Sequence, residues 1–164
     1  MACSLRDPFH QRQTRALLMP WDERYRLGVP DMDATHREFV EAADALLAAS
    51  DTAFPEMFAR LREHTRAHFE HEGKLMKRCR FPAIGEHNSE HLRVLGELAH
   101  FARGVAAGRL GMARNYVNSL PDWFNTHLCT MDSALAACLK EVQSARPASH
   151  TAESLITTDA RHSS

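Results

Sequence analysis

The chain has 164 residues, which is enough for one domain with an ordinary hydrophobic core. Hydrophobic residues make up 44% and charged residues 25%, and 20 basic against 21 acidic side chains give a formal net charge of -1. A nucleic-acid binder that relies on phosphate contacts is usually basic, and no stretch reaches the roughly 18 apolar residues of a membrane-spanning helix. We therefore expect a cytoplasmic protein that does not bind nucleic acid and does not span a membrane.

Three predicted helices follow an N-terminal extension at residues 1–19, whose apolar run at 16–19 is too short for a signal-peptide core. The first helix is predicted to begin near Asp31 or Asp33, either of which can cap it, and to end before residues 50–52. The second begins at residues 54–55, where proline suits a first helical turn, and ends near Cys79. The third covers residues 84–107 and is closed by glycine.

The fourth helix is predicted over residues 110–142 and contains Pro121. Proline inside a helix removes one backbone hydrogen bond, so we expect a kink or a restart near Ser119, with Asp122 completing the cap. Residues 143–164 are rich in Ser, Thr and Ala and form a predicted flexible C-terminal tail. Long helices with short connections indicate an all-α, up-down-up-down antiparallel four-helix bundle with an N-terminal arm, spanning residues 20–142.

Histidine is the unusual component, with 11 residues in the chain. Histidines and carboxylates recur on all four predicted helices, on the stripe that faces the bundle axis: His36, His68, Glu72, His87, His91, His127 and Asp132. Side chains four residues apart share a helix face, so both can bind the same metal ion. A single such pair is weak support, but burying all seven residues without partners is unfavourable. A metal site is therefore favoured over a hydrogen-bonded polar layer.

The spacing of His127 and Asp132 leaves two structures open. On a regular helix, five residues turn through about 500°, which separates the two side chains by about 140° around the axis, so that they straddle the site. A locally widened turn brings them to the same face, and such turns often occur at functional sites.

The four cysteines, Cys3, Cys79, Cys129 and Cys138, form no CxxC pair. Their spacing matches neither a zinc motif nor a redox motif. We interpret them as free, partly buried thiols.

The order of the seven histidines and carboxylates resembles hemerythrin, particularly the bacterial single-domain form. The segment from Trp21 to His36 is similar to the arm that leads into the first helix of that family, and residues 123–127, Trp-Phe-Asn-Thr-His, resemble its approach to the fourth-helix ligand. The resemblance covers residues 20–142. It implies a non-haem di-iron centre with a bridging oxo or hydroxo group that binds dioxygen reversibly.

The resemblance also implies how the ligands divide. His87, His91 and His127 would hold one iron, and His36 and His68 the other. Glu72 and Asp132 would bridge the two ions. Counting ligands on two six-coordinate irons leaves one open position, on the iron with two histidines, and an open position admits a ligand.

The remaining histidines of the bundle stand outside the family pattern. His71 is expected on a solvated helix face, and His100 is expected to be structural or exposed. His64 lies one turn before His68 and is interpreted as an ordinary surface or core histidine, with contact to a ligand as the alternative.

An apolar pocket over the open position would exclude water. The candidates for this oxygen pocket are Phe69, Trp123, Phe124 and Leu128. Hemerythrins commonly carry an aliphatic residue where Phe124 stands, which bears on oxygen access and release. Ordinary core packing is the alternative interpretation of these side chains.

The predicted function is reversible dioxygen binding for storage, transport or delivery, with no catalytic residue and no enzyme activity assigned. A ligand set dominated by neutral imidazoles, without the Glu-x-x-His motifs of ferritin-like oxidases, argues for binding over oxidation. The alternatives are a di-iron enzyme acting on peroxide or nitric oxide, an oxygen or iron sensor, and a site that takes zinc or manganese. A monomer is the simplest expectation, and the C-terminal tail is the candidate contact for an unknown protein partner.

Overall fold

The protein is described from a computed structural model that covers residues 21–145. A 3-10 turn at Glu23–Tyr25 precedes the helices, and a π-helical turn at Leu128–Asp132 joins the last two of them. The helices are α1 Pro30–Leu47, α2 Phe54–Cys79, α3 Ile84–Ala106, α4 Gly111–His127 and α5 Ser133–Ser144. The predictions for residues 1–19 and for residues 146–164 of the tail lie outside the described residues.

The helices form an antiparallel four-helix bundle in which α4, the π turn and α5 together make the fourth rod. α1 packs on α2 and α4, α3 packs on the same two helices, and α5 packs on α2. The connections between the rods are short, which favours antiparallel neighbours. The predicted all-α bundle is confirmed. Between residues 21 and 145, no helix is long and apolar enough to cross a membrane.

The start of α1 differs from the prediction. The helix begins at Pro30, after Val29, and no side chain caps it, so the prediction of a cap at Asp31 or Asp33 is wrong. The Asp33 carboxylate instead accepts hydrogen bonds from the backbone N–H groups of Leu27, at 2.7 Å, and Gly28, at 3.0 Å. Gly28 has a φ of 75°, which favours glycine. Asp33 therefore fixes the arm against the first turn of the helix.

Of the predicted kink or restart near Ser119, the restart does not occur, because α4 continues through Pro121. The Ser119 hydroxyl donates to the Tyr116 carbonyl at 2.7 Å instead of capping a new helix. Val117 and Phe124 on either side of the proline are buried on the same core-facing stripe. Burial of this stripe stabilises a continuous helix by more than the one backbone hydrogen bond that proline removes.

Two apolar clusters fill the bundle and leave a polar layer between them. The larger cluster lies toward the connection between α1 and α2, and its members include Val40, Leu46, Phe54, Phe58, Leu98 and Val117. The smaller cluster lies at the opposite end and contains Val29, Met32, Leu75, Met76, Cys79, Phe81, Leu135, Ala136 and Leu139. The residues between these clusters on each rod are the histidines and carboxylates singled out in the sequence.

Candidate metal centre

One layer of the bundle contains all seven residues predicted to bind metal. α1 supplies His36, α2 supplies His68 and Glu72, α3 supplies His87 and His91, and the fourth rod supplies His127 and Asp132. Each of the seven is 5% exposed or less. The helical spacing that brought them onto one stripe also removes them from water, so their polar atoms must find partners within the layer.

The side chains divide into two donor groups. The larger group contains Glu72, His87, His91, His127 and Asp132, and the smaller contains His36, His68 and Glu72. Within each group, one ligand atom from every residue lies within 4.8 Å of the others. The larger group has three histidines and the smaller has two, and Glu72 belongs to both.

Glu72 presents one carboxylate oxygen to each histidine group. Its Oε1 lies 2.9 Å from Nε2 of His68 and 3.4 Å from Nε2 of His36. Its Oε2 lies 3.2 Å from Nε2 of His91 and 3.6 Å from Nε2 of His87. This is the arrangement that a bridging carboxylate requires.

Asp132 is oriented in the same way. Its Oδ2 lies 3.3 Å from Nε2 of His36, in the smaller group. Its Oδ1 lies 3.2 Å from Nε2 of His127 and 3.3 Å from Nε2 of His87, in the larger group. Both carboxylates therefore stand between the two sets of histidines.

The π turn explains how His127 and Asp132 reach the same site. Residues Leu128–Asp132 adopt the wider helical turn, whose hydrogen bonds span five residues. The residues that flank it keep right-handed helical dihedral angles, so the rod continues on both sides. Of the two alternatives left open by the sequence, the structure adopts the widened turn, and both side chains face the bundle axis.

The electrostatics of the layer favour bound positive charge. Burial lowers the pKa of His36 and of His87, but the adjacent carboxylates of Asp132 and Glu72 outweigh it and raise both pKa values to about 9. Burial raises the pKa of each carboxyl, yet the surrounding histidines hold the pKa of Glu72 and that of Asp132 below their usual values. Two ionised carboxylates in a buried layer require compensating cations, either protons on imidazole or metal ions.

The donor atoms also fit metal ions by their geometry. Nε2 of His127 lies 3.2 Å from Nε2 of His87 and 3.1 Å from Nε2 of His91. Nitrogens bound about 2.1 Å from one ion at right angles are about 3 Å apart. His36 Nε2, Glu72 Oε2 and both oxygens of Asp132 are buried without a hydrogen-bond partner. A metal ion on each side of the carboxylates would satisfy these atoms.

Aromatic rings surround the layer and contact both histidine groups. Phe69 stacks on His91, with ring centroids 3.7 Å apart and planes within 1°. Trp123 stacks on His127 at 5.0 Å. Phe124 makes a T-shaped contact with His36, in the smaller group, with ring centroids 5.6 Å apart.

The apolar shell extends beyond the rings that touch the histidines. Leu128 is 1% exposed and belongs to the same apolar cluster as Phe124. Tyr25, from the arm, packs edge-on against Phe124 at 5.8 Å, and Phe39 stacks on it at 5.4 Å. All four residues predicted for the oxygen pocket therefore lie beside the layer, although their role there stays a prediction.

The other histidines of the bundle lie outside both donor groups. His64 is half-buried, and its Nε2 donates to the Thr35 carbonyl at 3.2 Å. His100 is exposed, as expected, and contacts Arg103. The prediction that His71 is solvated is wrong, because the residue is half-buried and its Nε2 is shielded from water.

Sequence reasoning missed Glu90, which lies between His87 and His91 on α3. Its carboxylate accepts a hydrogen bond from the indole N–H of Trp123 at 2.8 Å. Hydrogen bonds from Arg93, with help from that indole, lower the pKa of Glu90 to about 2. The contact fixes the ring that stacks on His127. The only local signal was the charge pairing of Glu90 with Arg93 three residues later.

Comparison with known proteins identifies relatives of this chain. The family model described as the hemerythrin HHE cation binding domain matches residues 27–139. A curated protein named bacteriohemerythrin, from Ralstonia nicotianae, is 31% identical over 124 residues, covering 76% of this chain and 90% of that protein.

Solved structures give the same fold. A hemerythrin with a single-residue substitution superposes with a TM-score of 0.70 at 20% identity and covers 75% of this chain and 98% of its own. A wild-type hemerythrin gives a TM-score of 0.69 at 20% identity, over 74% and 98% of the respective chains.

Proposed function

The chain belongs to the hemerythrin family, and on that premise we propose that its polar layer holds two iron ions and binds dioxygen reversibly. The observation that carries the proposal is the unequal division of the layer. Three histidines stand on one side of the two carboxylates and two on the other. An ion with fewer protein ligands keeps a position for an external ligand.

The distances within the layer support the following residue roles. His87, His91 and His127 would hold one iron, and His36 and His68 the other, with Glu72 and Asp132 bridging through the oxygens that face each group. When bound, a ferrous pair with an oxo or hydroxo bridge supplies the electrons for reversible binding of dioxygen. Imidazoles, which are neutral when they bind a metal ion, outnumber carboxylates in the layer, which favours binding over oxygen cleavage.

The surrounding side chains orient the ligands and exclude water. The stacking of Phe69 on His91 and of Trp123 on His127 restricts rotation of both imidazoles. The Trp123 ring is itself held by the Glu90 carboxylate. Rings fixed in this way keep the donor nitrogens aimed at the bundle axis.

Phe124 occupies the side where the external ligand would bind. It covers His36 with its ring edge and is covered in turn by Tyr25 from the arm and by Phe39. Apolar side chains at this position limit the access of water and protons to a bound ligand. The protein would thus serve dioxygen storage, transport or delivery, and we place it in the cytoplasm.

The test is the visible absorption of the ferrous-loaded chain before oxygen, after oxygen, and after the oxygen is flushed away. We expect a ligand-to-iron charge-transfer band that appears and disappears over several cycles. His91→Ala is expected to lose the band, whereas His100→Ala, on the same helix but exposed, should keep it. Bleaching that only a reductant reverses would favour an oxidase, a peroxidase or a sensor. Metal analysis that finds zinc, manganese or no metal would refute the di-iron proposal.

A further inference from the structure

Two cysteines on different helices lie near each other in the smaller apolar cluster, beyond the polar layer. Cys79 is the last residue of α2 and is 7% exposed. Cys138 lies in α5, is half-buried, and packs against the same apolar cluster. Glu72 on α2 and Asp132 before α5 lie two turns away along the same rods. The two cysteines therefore lie on the two rods that carry the carboxylates.

The Cys138 thiol lies against the backbone of Cys79. Cys138 Sγ donates to the backbone carbonyl of Cys79 at 3.2 Å. That carbonyl lies at the end of α2, where the chain turns through Arg80 at a φ of 54° and leaves carbonyls without helical partners. Burial, together with a hydrogen bond between the thiols, raises the pKa of Cys79 to about 11. In the reduced chain, the Cys138 thiol thus caps α2 beside Cys79.

The surroundings of the pair favour redox chemistry over metal binding. In the described part of the chain, every group of three or more metal-binding side chains lies in the polar layer, and neither cysteine belongs to one. Two thiolates alone are too few for a tetrahedral site. Two adjacent thiols on separate elements instead match the requirement for a disulfide, which needs close approach of the two side chains.

We propose that Cys79 and Cys138 are a reversible dithiol–disulfide site whose oxidant is a small peroxide. Cys138 is the more exposed thiol, so its thiolate attacks a peroxide oxygen, breaks the O–O bond, releases the other oxygen as hydroxide and becomes a sulfenic acid. The Cys79 sulfur then attacks that sulfur while its proton passes to the departing hydroxyl, which forms the S–S bond and releases water. With hydrogen peroxide, the two thiols lose two electrons and two protons, and the products are one disulfide and two waters. A dithiol reductant reverses the reaction by exchange.

Burial of Cys79 suits the order of the two steps. A buried thiol with a raised pKa stays protonated and is protected from direct oxidation. It reacts only once a sulfenic acid is formed beside it, which limits further oxidation of Cys138. The resulting bridge would replace the hydrogen bond that caps α2 and close a loop of about 60 residues, which lowers the entropy of the unfolded chain.

The test is a disulfide map of the full chain after hydrogen peroxide, with remaining thiols alkylated and the digest kept free of reductant. We expect a linked pair of peptides carrying Cys79 and Cys138, which dithiothreitol separates, and a higher melting temperature of the oxidised chain. Cys129→Ser, at an exposed and unpaired thiol, should give the same yield of the link. Cys138→Ser should leave Cys79 reduced and remove the shift in melting temperature.

The experiment is run on iron-loaded and on chelator-treated chain, because the proposal does not depend on the iron site. A link in both samples supports direct reaction with peroxide, whatever the result of the oxygen-binding test. A link in the iron-loaded sample alone would overturn that route. Two results would overturn the proposal. One is sulfinic acid at Cys138 with Cys79 still a free thiol, and the other is recovery of both cysteines in alkylated form after excess peroxide, which shows that neither was oxidised.

Discussion

His87 contacts three other members of the polar layer, so its loss perturbs the larger donor group directly. Its Nε2 lies 3.2 Å from His127 Nε2, 3.3 Å from Asp132 Oδ1 and 3.6 Å from Glu72 Oε2. We expect His87→Ala to lose the iron of that group. It also loses the stability that the ion contributes, because an ion that binds only the folded chain stabilises it.

The size of the effect follows from mass action. An ion present at about 100 times its dissociation constant stabilises the folded state by about 2.7 kcal/mol. In a domain of this size, 1 kcal/mol changes the melting temperature by about 4 °C. Each bound ion therefore raises the melting temperature by about 10 °C, and His87→Ala should reduce the iron-dependent rise by at least that amount.

The assay is anaerobic thermal unfolding of each variant with ferrous iron and with a chelator, together with iron analysis. Comparing the two conditions within one variant removes the effect of the lost side chain on the metal-free chain. His71→Ala is the matched control, since His71 is half-buried next to Glu72 but lies outside both donor groups. A full iron content and an unchanged iron-dependent rise in His87→Ala would refute the ligand assignment.

Three further predictions concern other positions. Glu72→Gln should release both irons, because each carboxylate oxygen faces one histidine group; iron analysis after gel filtration tests this, and two retained ions would contradict it. Phe124→Leu should speed dioxygen release, because it opens space beside the two-histidine group; stopped-flow dissociation into an oxygen scavenger measures the rate, and an unchanged rate would refute the placement of the pocket. Arg114→Ala should destabilise the fold by about 1–2 kcal/mol, because the guanidinium donates to the Ala49 carbonyl at 2.9 Å. The control is Arg60→Ala, which removes an exposed ion pair with Glu56 and should cost under about 0.5 kcal/mol in denaturant unfolding. Equal effects of Arg60→Ala and Arg114→Ala would show that the Ala49 contact adds nothing.

Local signals were sufficient for two of the helices. The second helix was predicted from residues 54–55 to Cys79 and spans Phe54–Cys79, and the third was predicted over 84–107 and spans Ile84–Ala106. Proline and glycine set these ends through backbone geometry that does not depend on neighbouring helices. At Pro121 the same local rule did not end the helix, because burial of the helix on both sides outweighs one lost hydrogen bond.

The seven residues of the polar layer were also predictable as a set, because helical periodicity places each of them on the core-facing stripe of its helix. Their mutual arrangement was not. The spacing of His127 and Asp132 allowed both a regular and a widened turn, and the choice depends on packing of α4 and α5 against the rest of the bundle. The hydrogen bond from Trp123 to Glu90 joins two helices, and no pattern within either helix specifies it.

The most direct measurement is oxygen uptake and release by the ferrous-loaded chain in a closed cell. We expect one dioxygen taken up for each pair of irons and recovered intact when the oxygen pressure is lowered, with the irons returning to the ferrous state. Uptake without recovery, with peroxide or water as the product, would contradict reversible binding and identify the layer as the site of an oxidising enzyme.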